Sequence, residues 1–165
     1  VILGAELADA DGAGSPRVET PLTHEPVIWL STVRPDGRPH LIPIWFWWDG
    51  GSLLFASKPD ACKVANLRAN TACMLAVGDP MADLDVALIE ARVELASIST
   101  GDLLASGLLA KYADKMAAIG LSPATFADTY RQVVRLVPTR WLPWHGRTPR
   151  AAWRPAAGMA VRLHR

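Results

Sequence analysis

Hydrophobic and polar positions change rhythm twice along this chain. From about 27 to 97 the pattern alternates with a period of two, the mark of strands. The first strand covers about 27 to 33, rich in β-branched and aromatic residues. Pro35-Asp36-Gly37 supplies a turn, with proline presetting one central residue and glycine taking the positive-φ position. The second strand runs from about 39 to 49, with Ile44, Phe46 and Trp48 on one face and Trp45 and Trp47 on the other. Both faces are apolar, so this strand is buried on two sides, or one face meets a partner subunit or a ligand. Pro43 cannot donate to a ladder and marks an edge or a bulge. Gly50-Gly51 closes a hairpin into a third strand at about 52 to 57.

A short helix of about 61 to 69 follows, with Asp60 as its cap, Val64 and Leu67 facing the core and Asn70 ending it. A fourth strand takes 71 to 77, and a fifth takes 85 to 97 with Ala87, Ile89, Ala91, Val93 and Leu95 on one face. The period then becomes helical. Leu103, Leu104, Leu108, Leu109, Tyr112, Met116 and Ile119 predict a helix that Gly120 stops. Ser122-Pro123 starts a second helix running to about Arg131. The last strand is expected over about 132 to 144. Pro16, Pro21 and Pro26 predict an extended approach to the sheet. The expected architecture is mainly β: a six-stranded antiparallel barrel with peripheral helices over 21–145, between tails at 1–20 and 146–165.

Composition narrows the function classes. A chain of 165 residues, half hydrophobic and one-fifth charged, carries a real core. A net charge of +1 gives no electrostatic case for nucleic acid. No run approaches the roughly 18 apolar residues of a membrane helix. Residues 1 to 14 carry acidic groups and no basic region of the signal-peptide type. Cys62 and Cys73 lack zinc-ligand spacing and are expected as reduced thiols in a cytoplasmic protein. No Ser-His-Asp set, carboxylate pair or metal cluster assembles from the sequence, so no catalytic side chain is assigned. Of the four histidines, His40 alone opens the strand that carries Pro43.

The helix start at 60 to 68 carries the chemistry. Free N–H groups, the helix dipole and nearby lysines make an anion site there. Ser57 and Lys58 precede it, Lys63 lies in its first turn and Asn66 lies one turn on. A solvated amphipathic helix is the plainer reading of the same charges. The adjacent strand offers Trp45, Phe46 and Trp47 as π surface for a planar ring.

The succession Pro35-Asp36-Gly37-Arg38-Pro39-His40, Pro43-Ile44-Trp45-Phe46, Ser57-Lys58-Pro59-Asp60 and Lys63-Val64-Ala65-Asn66-Leu67-Arg68 resembles the pyridoxamine 5'-phosphate oxidase-like split β-barrel superfamily. The branch of flavin- and deazaflavin-dependent oxidoreductases is the most similar within it. Ile89-Glu90-Ala91-Arg92-Val93-Glu94 resembles the family's fifth strand, and Val137-Pro138-Thr139-Arg140 its last. The resemblance implies a homodimer with cofactor sites at the subunit interface. It implies FMN or the deazaflavin coenzyme F-420, with the ring against Leu41, Ile42, Pro43, Ile44 and Trp45 and near Ala56. It implies a phosphate held by Ser57, Lys58, Lys63 and Asn66. The activity implied is hydride transfer to a small conjugated organic acceptor. A non-catalytic carrier of flavin, haem or tetrapyrrole is the alternative on the same fold. The arginine-rich second strand of true pyridoxamine phosphate oxidases is absent here, which excludes that specific activity. Val86 stands where FMN-binding members carry glutamine, which favours the deazaflavin.

Overall fold

The computed structural model describes residues 16–78 and 85–145. Seven strands form one antiparallel sheet in the order β2-β1-β5-β6-β7-β4-β3. They are β1 (Ile28–Val33), β2 (Pro39–Ile44), β3 (Trp47–Trp48), β4 (Leu53–Ser57), β5 (Ala72–Val77), β6 (Asp85–Leu95) and β7 (Gln132–His145). The seventh strand arises because the expected second strand is two. β2 and β3 occupy opposite edges of the sheet, yet only Trp45 and Phe46 separate them in the chain. Three peptide steps span at most about 11 Å. The sheet therefore curls until its edges nearly meet, and the barrel is split where the chain crosses from one to the other.

The alternation predicted for that stretch survives the split. Ile44, Phe46 and Trp48 are buried in the barrel core with Ile28, Leu30, Leu53, Phe55, Leu75, Ile89, Val134 and Leu136. Trp45 and Trp47 lie on the other side, partly buried against a second cluster formed by Leu54, Val133 and the helices. Each large apolar side chain so buried contributes about 1.5–3 kcal/mol. In β6, Ala87, Ile89, Ala91 and Val93 are buried, as the alternation requires; the side chain of Leu95 lies outside the described residues. Pro43 lies on an edge strand, where a missing donor is tolerated. β6 and β7 slip register between Glu90, opposite Arg140, and Ala91, opposite Pro138. Thr139 is the extra residue of this bulge, and its Oγ1 donates to the Glu90 carbonyl at 3.1 Å.

Several local expectations are corrected. Residues Pro16–His24 form helix α1 and not an extended lead, so 16–20 belong to a helix and not to a tail. Tertiary contacts override its prolines: Leu22 is fully buried, Lys111 Nζ donates to the Leu22 carbonyl at 3.2 Å, and the Tyr112 hydroxyl donates to the Pro26 carbonyl at 3.0 Å. Helix α2 (Cys62–Ala69) is capped by Ala61 without a side-chain bond. A turn closed by Ala61 N–H on the Lys58 carbonyl at 3.1 Å leaves Asp60 exposed before the helix begins. The long helix expected from 101 is α3 (Thr100–Leu103), a kinked segment (Leu104–Leu108) in which Gly107 leaves helical geometry, and α4 (Leu109–Ala118). Ser99 caps it with Asp102 in a reciprocal capping box. Ile119 lies outside α4 and is exposed. Helix α5 (Pro123–Thr129), capped by Ser122, ends before Arg131. The expected tail segments 1–15 and 146–165 lie outside the described residues.

Candidate cofactor pocket

Trp45 and Phe46, the two residues between β2 and β3, leave backbone groups without ladder partners. One side chain meets both groups of Phe46. The Tyr112 hydroxyl accepts from the Phe46 N–H at 3.0 Å, and its single proton is shared between the Phe46 carbonyl at 3.1 Å and the Pro26 carbonyl at 3.0 Å. The neighbouring Trp45 ring stacks on Tyr112 with centroids 4.7 Å apart and planes 8° apart. It also lies near-parallel to Phe126, at 6.5 Å.

A cavity of about 250 Å³ opens beside this stack. The sheet side supplies Pro43, Ile44, Trp45, Ala56 and, from α2, Lys63; the helical side supplies Leu108, Ile119, Leu121, Phe126 and Tyr130. The walls are apolar and aromatic, and Lys63 is the one charged residue among those lining it. Lys63 is partly buried and has no hydrogen-bond or ion-pair partner among the described residues. Burial pulls its ammonium below the usual lysine range, with Cys62 pushing slightly the other way.

Five of the ten residues expected at a cofactor therefore converge: Pro43, Ile44, Trp45, Ala56 and Lys63. The other five are placed elsewhere. Leu41 is exposed on the outer sheet face, and Ile42 packs against the barrel core. Lys58 is exposed. Ser57 shares the strand face of Leu53 and Phe55, opposite Ala56, and its buried Oγ has no partner among the described residues. Asn66 is buried beneath α2, where its Nδ2 donates to Thr32 Oγ1 at 3.0 Å. Thr32 in turn lies 3.4 Å from His40 Nδ1, so His40 belongs to this internal network. Of the four residues expected at a phosphate, Lys63 lines the cavity, and Ser57, Lys58 and Asn66 are not among its lining residues.

Sequence reasoning missed the helical wall. Leu108 was legible as a core position, and Phe126 and Tyr130 are four apart in the sequence, the helical spacing of one face. Nothing in their spacing distinguished a cavity wall from a packed core. Among the described residues there is no group of three metal-ligating side chains and no helix long and apolar enough to cross a membrane. Cys73 is mostly buried, which pushes its thiol up to about 12; Cys62 is exposed. They are free thiols.

A split barrel with an aromatic pocket at its seam defines a known class. The family described as pyridoxamine 5'-phosphate oxidase matches residues 15–145, and the chain belongs to that family. Among solved structures, an F420 reductase is 26% identical with a TM-score of 0.60, covering 80% of this chain and 97% of that one. A conserved hypothetical protein from Mycobacterium tuberculosis is 21% identical with a TM-score of 0.65, covering 92% and 98%. A FAD-binding protein from Mesorhizobium loti is 17% identical with a TM-score of 0.57, covering 76% and 88%. No curated protein matches the chain.

Proposed function

We propose that this protein binds a deazaflavin or FMN in the seam pocket and uses it to reduce a small conjugated organic acceptor. One observation carries the reading: a partly buried lysine with no counter-charge among the described residues lines an otherwise apolar, aromatic cavity. That donor set fits a flat ring attached to a phosphate. Lys63 meets the anion, and a charge-assisted bond of this kind is roughly twice as strong as a neutral one. Pro43, Ile44 and Trp45 lie along the ring, and the apolar walls exclude water. The bound cofactor supplies the hydride chemistry, and the protein supplies orientation and a dry site. The membership in this family and the likeness to the F420 reductase support the flavin-type reading.

The test is a titration of the purified protein with FMN, coenzyme F-420 and haem, followed in the visible spectrum. Saturable binding of FMN or the deazaflavin, and oxidation of its reduced form by an enone or quinone, is the expected result. Binding without turnover of any acceptor would make the protein a carrier. Absence of binding by either flavin-type cofactor would overturn the reading.

We also propose that the unit is a homodimer. Trp29, Val33, Leu41 and Met74 are exposed, 37–60% accessible. The register places them on one outer face: Trp29 opposite Pro43, and Ser31 opposite both Leu41 and Met74. An apolar face of this kind on a soluble domain marks an interface. Pro43 lies on that face and also lines the cavity, so a second copy seated there would roof the pocket. Sedimentation is expected to show a dimer that Leu41→Lys converts to monomer with the fold intact. A wild-type monomer at micromolar concentration would reject the proposal.

A further inference from the structure

Resting on the cofactor reading above, we propose that Tyr112 is a positioning residue that presets the cavity's ring wall from outside the sheet. The wall at Trp45 stands where the chain leaves one sheet edge for the other, so no strand ladder holds it. Helices hold it instead. Tyr112 is fully buried, and its one hydroxyl engages three backbone groups: the Phe46 N–H, the Phe46 carbonyl and the Pro26 carbonyl. Its ring is the platform on which Trp45 lies. Lys111, the preceding residue, places its ammonium 3.7 Å above the Phe46 ring. On the far side of Phe46, Trp47 packs onto Gly107 of the same helical arm. The orientation of Trp45 is therefore set by α4 and the segment before it. Tyr112 does not line the cavity; Trp45, stacked on it, does.

Tyr112→Phe keeps the stacked ring and deletes the hydroxyl. Phe46 then loses its partner, and the crossover that carries Trp45 loosens. The expected result is about three- to tenfold weaker binding of the cofactor that the wild type binds, the scale of one lost hydrogen bond. A core-thinning control chosen for a similar fall in Tm, Ile89→Val, is expected to leave affinity unchanged. The near-UV circular dichroism of the aromatic stack should change in Tyr112→Phe and not in the control. Wild-type affinity in folded Tyr112→Phe, or equal losses in both variants, would overturn the positioning role alone. Failure of the wild type to bind either cofactor would instead overturn the cofactor reading, and this role with it.

A second measurement covers a variant that does not fold. The chain has two tyrosines, so 3-fluorotyrosine gives two ¹⁹F signals, assigned with Tyr130→Phe. The Tyr112 signal is expected to move when the cofactor saturates the protein. A static Tyr112 signal during demonstrated binding would overturn the proposal.

Discussion

Gly107→Ala is expected to lower stability by about 2–5 kcal/mol, the sum of strain at a disfavoured φ and overpacking of a filled site. Gly107 sits at φ 143° in the kink of the segment Leu104–Leu108. A Cβ there would lie 2.4 Å from the Trp47 ring, with no room to move without displacing the indole. The right comparison is Gly37→Ala. Gly37 also has positive φ, 82°, but a Cβ there meets nothing within 4 Å. Urea midpoints should separate the two: a small shift for Gly37→Ala and a large one for Gly107→Ala, accompanied by a change in tryptophan emission. Equal shifts would show that the Trp47 contact gives way easily and that backbone strain alone sets the effect. The kink at Gly107 brings its Cα against the Trp47 ring, and Leu108, the next residue, lines the cavity.

The second large effect falls on ligand affinity. Lys63→Ala is expected to weaken binding of a phosphate-bearing cofactor by one to two orders of magnitude, corresponding to a charge-assisted contact of about 1.5–3 kcal/mol. Unchanged affinity would reject Lys63 as the anion partner. The pH dependence has a definite sign. Burial lowers the folded-state pKa of Lys63 below the ordinary lysine value of 10.5. An anion prefers the protonated amine, so affinity is fullest below that folded pKa and falls as pH rises through it. The fall therefore begins at a lower pH than an exposed lysine would give. Stability moves the opposite way: between the folded and unfolded pKa values the unfolded chain binds more protons, so this group's contribution to stability rises with pH. Titrations across the alkaline range, with Lys63→Ala showing a flattened profile, check the assignment.

How much of this was legible beforehand follows from what local sequence encodes. The barrel strands were readable because one face of each meets the core, as in the alternation of β6. The division of β2 from β3 was not. A stretch apolar on both faces looks continuous whether it stays in one strand or changes sheet edges, and what breaks it is a tyrosine 66 positions away. Helix α1 was missed for a similar reason: its prolines speak locally for extended chain, and Leu22, Lys111 and Tyr112 overrule them. Lys63 and Pro43–Trp45 were legible as neighbours because a cation at a helix start beside aromatics is a local pattern, and they line one cavity. Asn66 was placed at the same site because a helix turn brings it near Lys63 in sequence. Its partner, Thr32, becomes visible only once α2 packs against β1.

The seam of the barrel bears on how this protein avoids sticking to copies of itself through its strands. An open sheet offers two rows of unpaired backbone groups, and long apolar edge strands template aggregation. Here the most hydrophobic stretch of the chain supplies both edges. Pro39 and Pro43 remove two donors from β2, and β3 is two residues long. The chain spends its apolar character on faces, where the core and a pocket use it, and leaves little edge to recruit a foreign strand.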